Sequence, residues 1–322
     1  MMTARHGAVP DAAMSELMTL LEGRVLFDES MSGHTYIGTG GPAAAFCRVK
    51  EMRVLSGLVS LTGRHRVPFL VMGMGSNILP SDAGLAGVVV VLNGEFGRIE
   101  VRGNTVKAGA AVRLSGLVER AMREELSGLE FAQGIPGTLG GAVIGNAGAG
   151  GEAVGDLVEE IDFLDDKGSQ FSVSREELKF SYRFSNVRSL GAVVTHVSLR
   201  LEKGSRPAIG GKMGDFAEKR KSQPLDSQSA GCIFKNPEGH PPAGMLIDQC
   251  GLKGLRVGEF EISSRHANFI VSRGGGTTAQ AVELIVKIRG EVFRKVGVVL
   301  EPEVIMLGED GRILELPEPA AC

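Results

Sequence analysis

An α+β protein of more than one domain is what this sequence predicts, and three observations predict it. Glycine supplies 46 of the 322 residues and tryptophan none. That composition suits tight turns and close backbone approaches rather than a helical bundle. A strand–helix–strand pattern near the N-terminus gives way to short alternating strand segments. A turn-rich stretch with neither period, Glu202 to Gly211, then divides the chain. The length suggests two or three domains. Apolar content of 43% and charged content of 23% are ordinary for a soluble protein. A net charge of −3 offers no basic footprint for nucleic acid. No apolar run approaches the roughly 20 residues that span a bilayer, and the N-terminus lacks the apolar centre of a secretory signal. Cys47, Cys232, Cys250 and Cys322 show neither zinc spacing nor a disulfide framework, so a reducing cytoplasm is expected.

The elements follow in order. Residues 11 to 22 place Met14, Leu17, Leu20 and Leu21 on one side of a short helix. Ala43–Val49 reads as a strand, Glu51–Arg64 as a helix, and Pro68–Met72 as a buried strand that ends in a glycine turn. The Val-rich Gly87–Leu92 is the next strand. IEVRG and TVKAG meet at Gly103-Asn104 as a hairpin, and Arg113–Glu125 is a helix. Leu157–Leu164 and Phe171–Val173 are strands around a turn at Asp166-Lys167-Gly168, and Ala192–Leu201 is another. Beyond the break come helices at Lys212–Lys221 and Ala243–Cys250, a strand at Ala267–Val271 and a long helix at Thr278–Lys295. A last strand, Val298–Leu307, contains Pro302, which predicts an edge position or a bend. The tail after Gly308 is expected to be loosely held.

Two glycine motifs suggest a phosphate site. In Phe131–Gly148, FAQGIPGTLGGAVIGNAG, six of eighteen residues are glycine, against an average usage of roughly 7%. Little side-chain surface remains, and the backbone N–H groups can approach a diphosphate closely. A linker is the alternative, but Ile135, Leu139, Val143 and Ile144 interleave with the glycines where a solvated linker would carry Ser and charge. GMGSN, Gly73 to Asn77, follows a strand and could cradle phosphate through its amides. It could equally be an ordinary strand-ending turn. It is neither a P-loop nor a Rossmann fingerprint.

Three further motifs each have a functional and a structural reading. FSYRFS puts Tyr182 beside Arg183, facing opposite ways if the segment is a strand. Arg183 could stabilise developing negative charge or be a surface arginine. In SAGCIFKNP, Cys232 could be a reactive donor or a buried structural thiol. In LEPEV, Glu301 and Glu303 share a face of an extended segment, and either could be an acid or a solvated strand end.

Together and in this order, the motifs HTYIGTGGPA, GMGSN, GIPGTLGGAVIGNAG, SYRFS, SAGCIFKNP, HANFIVS and LEPEV resemble those of the UDP-N-acetylenolpyruvoylglucosamine reductase family, from about Thr35 to Gly308. The resemblance implies an α+β fold, with a two-lobed FAD-binding module of the vanillyl-alcohol-oxidase type and a C-terminal α+β substrate domain. The expected division is an N-terminal helix (1–23), FAD lobes at 24–90 and 91–203, a substrate domain at 204–308 and a tail at 309–322. It implies FAD held at Gly73, Met74, Gly75, Ser76 and Asn77 and at Gly134, Ile135, Pro136, Gly137, Thr138, Gly140, Gly141 and Ile144. Arg183 and Glu303 match the family's catalytic Arg and Glu. Cys232 stands where the family's proton donor, commonly Ser, stands. Tyr182, Lys235 and Asn236 are implied substrate contacts. NADPH is the implied electron donor, and the enolpyruvyl ether of UDP-N-acetylglucosamine is the implied substrate, reduced in peptidoglycan synthesis in the cytoplasm. No metal is implied. The chain resembles the shorter subtype without an inserted tyrosine loop, since no such segment lies between Phe184 and Gly211. Two other readings stay open: an oxidase of the same superfamily that uses O₂, and a non-catalytic nucleotide-binding protein.

Overall fold

The strand expected at Ala43–Val49 forms as Pro42–Val49, and every residue of it except Arg48 is buried. The computed structural model describes residues 9–319. In the first sheet the order is Val25–Ser30, Pro42–Val49, Leu85–Leu92 and Phe69–Met72, the last three parallel and the first antiparallel. A β-branched run such as Val88–Val91 suits an inner parallel strand covered on both faces. Val25–Ser30, which the sequence reading left unassigned, alternates too weakly to stand out. Helix α1 (Asp11–Leu20) lies on α2 (Met52–His65), where Leu20 packs at Gly57.

The second sheet is antiparallel throughout, in the order Gln170–Ser174, Val158–Leu164, Val193–Arg200, Thr105–Gly109, Ile99–Arg102. Its hairpin turns at Gly103, φ +63°. Helix α3 (Leu114–Arg123) and the short α4 (Leu139–Ile144) pack on the same core, which runs without a break into the first sheet. The glycine run is therefore part helix, which its composition concealed because glycine disfavours helix.

The chain departs from expectation at Glu202–Gly211. Helix α5 runs Arg206–Arg220, starting well before Lys212. Ser205 caps it by accepting from the Ala208 N–H, and Pro207 sits in the first turn, where its missing N–H costs nothing. The glycine pair Gly210-Gly211 hid this start. Met213 and Phe216 pack α5 on the core of the two sheets, although its sequence follows the expected boundary at 203/204.

The C-terminal body has its own core, built by the sheet Ser229–Cys232, Phe269–Ser272, Phe260–Ile262 and Arg256–Val257 with α6 (Ala243–Gln249) and α7 (Thr278–Val296). Contacts from the segment that follows Phe69–Met72 bind it to the N-terminal body. Asp82 accepts from the N–H groups of Thr278 and Ala279 at the start of α7, at 2.7 and 2.8 Å. Strand Ile305–Leu307 pairs in parallel with Ile78–Pro80, directly after the GMGSN turn. The expected strand Val298–Leu307 is thus confined to its last three residues, because Pro302 cannot donate to a ladder and makes only an isolated bridge to Phe234. The tail is also better held than expected. Leu314 N–H donates to Met306 C=O, and Arg289 Nη1 reaches Pro317 C=O, at 2.8 Å each.

Candidate active site

Where the two bodies meet, a cavity of about 2350 Å³ opens. Ordinary ligand pockets hold roughly 300–1,000 Å³, so there is room for a dinucleotide and a second large ligand. Both glycine motifs line it. A Cβ on Gly73 would lie 2.6 Å from Thr138 Oγ1, and one on Gly75 (φ +67°) 2.1 Å from His34 C=O. Only glycine lets these turns nest. Ser76 Oγ donates to Pro136 C=O at 3.3 Å and joins them. Among the described residues, the amides of Met74, Gly75, Ser76, Asn77, Gly134, Gly137 and Thr138 donate to no acceptor in the chain. Clustered, unspent N–H donors at a cavity wall fit a diphosphate, and so fit FAD.

The rest of the glycine run is built differently. Gly140 N–H donates to Ala110 C=O at 2.9 Å, and Gly141 N–H to Thr138 Oγ1 at 3.5 Å. These amides hold α4 rather than a phosphate. A Cβ on Gly140 would press on Ala110 Cβ at 2.9 Å, so Gly140 serves packing. Gly141 is exposed on the cavity side, where Ile135, Pro136 and Ile144 also line the wall.

Three chain segments bring Arg183, Glu303 and Cys232 together. Phe180–Ser181 pairs with Phe184–Ser185, so Tyr182 and Arg183 form the two-residue turn of a small hairpin instead of opposite faces of a strand. Arg183 takes φ +53°, a left-handed position that is costly for a long side chain and typical of functional sites. Its Nε donates to Glu303 Oε1 at 2.5 Å. Glu303 is anchored from both sides: its N–H donates to Ile233 C=O at 2.7 Å, and its C=O accepts from Asn77 Nδ2 at 3.0 Å. The GMGSN turn and the residue after the Cys232 strand therefore both hold the Glu303 backbone.

Burial holds the Glu303 carboxyl above the usual carboxylate range, against the pull of Arg183 and Lys235. A carboxyl protonated on Oε2 still accepts the Arg183 bond on Oε1. Cys232 ends the strand Ser229–Cys232, just past Gly231 at φ +77°. Burial, then the nearby Glu303, push its thiol up to about 12, overcoming Arg183 and Arg220. This is a protonated thiol at neutral pH, able to donate and poorly nucleophilic.

The other expected substrate contacts are partly committed within the chain. Tyr182 is exposed, lies beneath the Arg183 guanidinium at 5.2 Å, and its hydroxyl accepts from Asn236 N–H at 3.2 Å. Asn236 Oδ1 accepts from Ala243 N–H at the start of α6 at 3.0 Å. Lys235 Nζ pairs with Glu301, so the two glutamates of LEPEV serve different cations. Two residues escaped the sequence reading. Asn268 of HANFIVS is buried and brackets Phe234, accepting its N–H and donating to its C=O, which sets the course of the chain after Cys232. An Asn in an apolar strand was the available signal. Arg220, on the last turn of α5, lies against the Gly134 turn; nothing in EKRKS distinguishes it from a solvated helix end.

Comparison with known proteins covers most of the chain. Residues 223–307 match the family model described as UDP-N-acetylenolpyruvoylglucosamine reductase, C-terminal domain, and residues 43–174 match the model of an FAD binding domain. A UDP-N-acetylenolpyruvoylglucosamine reductase of Heliobacterium modesticaldum is 40% identical over 299 residues, 92% of this chain and 95% of that protein. The protein of that name from Clostridioides difficile is 37% identical over 301 residues, 93% and 99%. Among solved structures, the UDP-N-acetylenolpyruvylglucosamine reductase of Thermus caldophilus superposes with a TM-score of 0.78 at 37% identity, over 88% of this chain and 98% of that one.

Proposed function

The chain belongs to the UDP-N-acetylenolpyruvoylglucosamine reductase family, and on that premise we propose that it uses NADPH to reduce the enolpyruvyl ether of UDP-N-acetylglucosamine to UDP-N-acetylmuramate, in the cytoplasm, for peptidoglycan synthesis. The observation that carries the reading is the convergence of Arg183, Glu303 and Cys232 at the wall of a cavity that also presents the unspent amides of two glycine turns.

The amides of Met74–Asn77 and of Gly134, Gly137 and Thr138 would hold the diphosphate of FAD. When bound, FAD supplies a hydride taken from NADPH and passed to the terminal methylene carbon, C3, of the enolpyruvyl group. Charge then develops at substrate C2 and spreads into its carboxylate. Arg183, which lines the cavity, would oppose that charge. Glu303, whose proton affinity burial raises, would in its protonated form lend a hydrogen bond where a carboxylate would repel. The Cys232 thiol, protonated at neutral pH, gives its proton to C2 and fixes the new configuration. Tyr182, Lys235 and Asn236, which line the same cavity, would contact the rest of the substrate.

The test is spectroscopic. The purified protein should show a flavin spectrum, bleach with NADPH without oxygen, and recover on adding the enolpyruvyl ether. Recovery with O₂ alone, at a rate that the ether does not raise, would instead favour an oxidase. A protein that takes up no flavin would remove the reading altogether.

A further inference from the structure

The hairpin Phe180–Ser185, which presents Arg183, pairs with no other strand among the described residues. A hairpin with two residues per strand is marginal in water by itself, so contacts outside it set its place. The end of the glycine run supplies them. Asn146 Nδ2 donates to Ser181 C=O, and Ser185 Oγ donates to Ile144 C=O, each at 2.8 Å. One bond holds each strand of the hairpin, on either side of Tyr182 and Arg183. Both clamping residues are buried, Asn146 at 5% exposure and Ser185 at 6%. Asn146 Oδ1 is committed as well, accepting from Gly155 N–H at 2.9 Å. Gly155 in turn lies against the Phe180 ring, where a Cβ would come within 2.4 Å of Phe180 Cγ.

The backbone at Asn146 points the same way. It takes φ +44°, in the left-handed region that glycine enters freely and other residues enter at a cost. The other positive-φ positions of the run, Gly134 and Gly137, are glycine. Position 146 instead keeps a side chain, and both polar ends of that side chain hold the hairpin or the turn packed against it. Resting on the reading that Arg183 stabilises the charge that develops on the substrate, we propose that Asn146 and Ser185 are positioning residues for Arg183. They tie its hairpin to the end of α4, in the same run whose first turn would hold the cofactor diphosphate. Arg183 Nε reaches Glu303 of the C-terminal body, so the clamp gives the hairpin an opposing anchor in the N-terminal body.

The experiment follows the two half-reactions by rapid mixing in flavin-loaded wild type, Asn146→Gly and Ser185→Ala. Glycine suits a left-handed backbone, so Asn146→Gly removes the side chain without adding strain. Reduction of the flavin by NADPH should match wild type. Its reoxidation by the enolpyruvyl ether should slow about a hundredfold in Asn146→Gly, the effect of misplacing a reacting group by an ångström, and less in Ser185→Ala. A residue that acts through Arg183 loses its effect once Arg183 is gone. Both substitutions should therefore slow reoxidation little further in an Arg183→Ala background, whereas a merely structural residue would slow both backgrounds alike. Equal slowing in the two backgrounds, equal damage to both half-reactions, or wild-type rates overturn the assignment. If Asn146→Gly does not fold or loses flavin, Ser185→Ala decides by the same outcomes. A wild type whose reduced flavin the ether does not reoxidise would instead sink the functional reading on which this rests.

Discussion

At the scale of single residues, three side chains can be separated by what each would lose. Arg183→Ala should leave flavin reduction by NADPH largely intact, since that step puts no charge on the substrate. Transfer to the enolpyruvyl ether should fall about a hundred- to a thousandfold, the usual cost of losing a preorganised stabiliser. Rapid mixing follows the two halves separately, and equal damage to both would place Arg183 against the cofactor or the nicotinamide. Cys232→Ser should stay active, because a hydroxyl can hold the same position. Cys232→Ala should accept electrons yet fail to complete the product, with C3 exchange in D₂O and little net turnover. Near-normal turnover of Cys232→Ala would leave Cys232 a packing thiol. Because burial raises the thiol to about 12, iodoacetamide at pH 8 should label Cys232 far more slowly than an exposed cysteine. Glu303 adds a pH signature. Its folded pKa lies above its ordinary 4.5, so its contribution to stability is whole below that value and is lost as pH rises through the folded pKa. Glu303→Gln removes the ionisation. Its stability relative to wild type should therefore rise with pH from near pH 4 and level off once Glu303 has ionised. A flat difference between pH 4 and 8, by denaturant melts, would contradict the raised pKa.

At the scale of elements, the glycine run divides into a turn and a helix, and substitutions should report the division. Gly140→Val overlaps Ala110 in the core and should cost stability, about 1–3 kcal/mol for overpacking, whether or not flavin is present. On Gly141 a Cβ meets nothing closer than Thr138 Oγ1 at 3.8 Å, so Gly141→Ala should fold normally. Any loss of flavin affinity there would come from the cavity side alone, and fluorescence titration of the apoprotein with FAD measures it. The start of α7 gives a second case. Asp82 caps it from another body, so Asp82→Ala should destabilise by about 1 kcal/mol, read by chemical denaturation. No measurable change would mean that α7 docks without its cap.

At the scale of the whole molecule, the site exists only because separate bodies close on one cavity. Asn77 of the GMGSN turn reaches Glu303, Glu303 reaches Ile233 just past the Cys232 strand, and Ile305–Leu307 pairs behind the GMGSN turn. A ligand spanning this junction should stabilise the fold as a unit. At a thousand times its dissociation constant, FAD should add about 4 kcal/mol, seen as a higher melting temperature of apoprotein reconstituted with FAD. Riboflavin, without the diphosphate, should give a much smaller shift at the same concentration. Equal shifts would show that the amides of the glycine turns do not hold phosphate.

Local chemistry in the sequence determined the α+β class, most of the strands and helices, and the glycine turns, because periodicity and turn residues act between near neighbours. It also marked Arg183, Cys232 and Glu303 as candidates through their motifs. Tertiary structure decided what local pattern could not carry. Gly140 and Gly141 look alike in sequence, but only one abuts Ala110. Arg183 read as a strand residue or a surface arginine until the hairpin turned it towards Glu303, 120 positions away. Arg220 read as an ordinary basic helix end until packing left its Nε buried and unpaired. Charge, burial and proton affinity depend on which distant groups share a low-dielectric space, and only the closed fold brings those groups together.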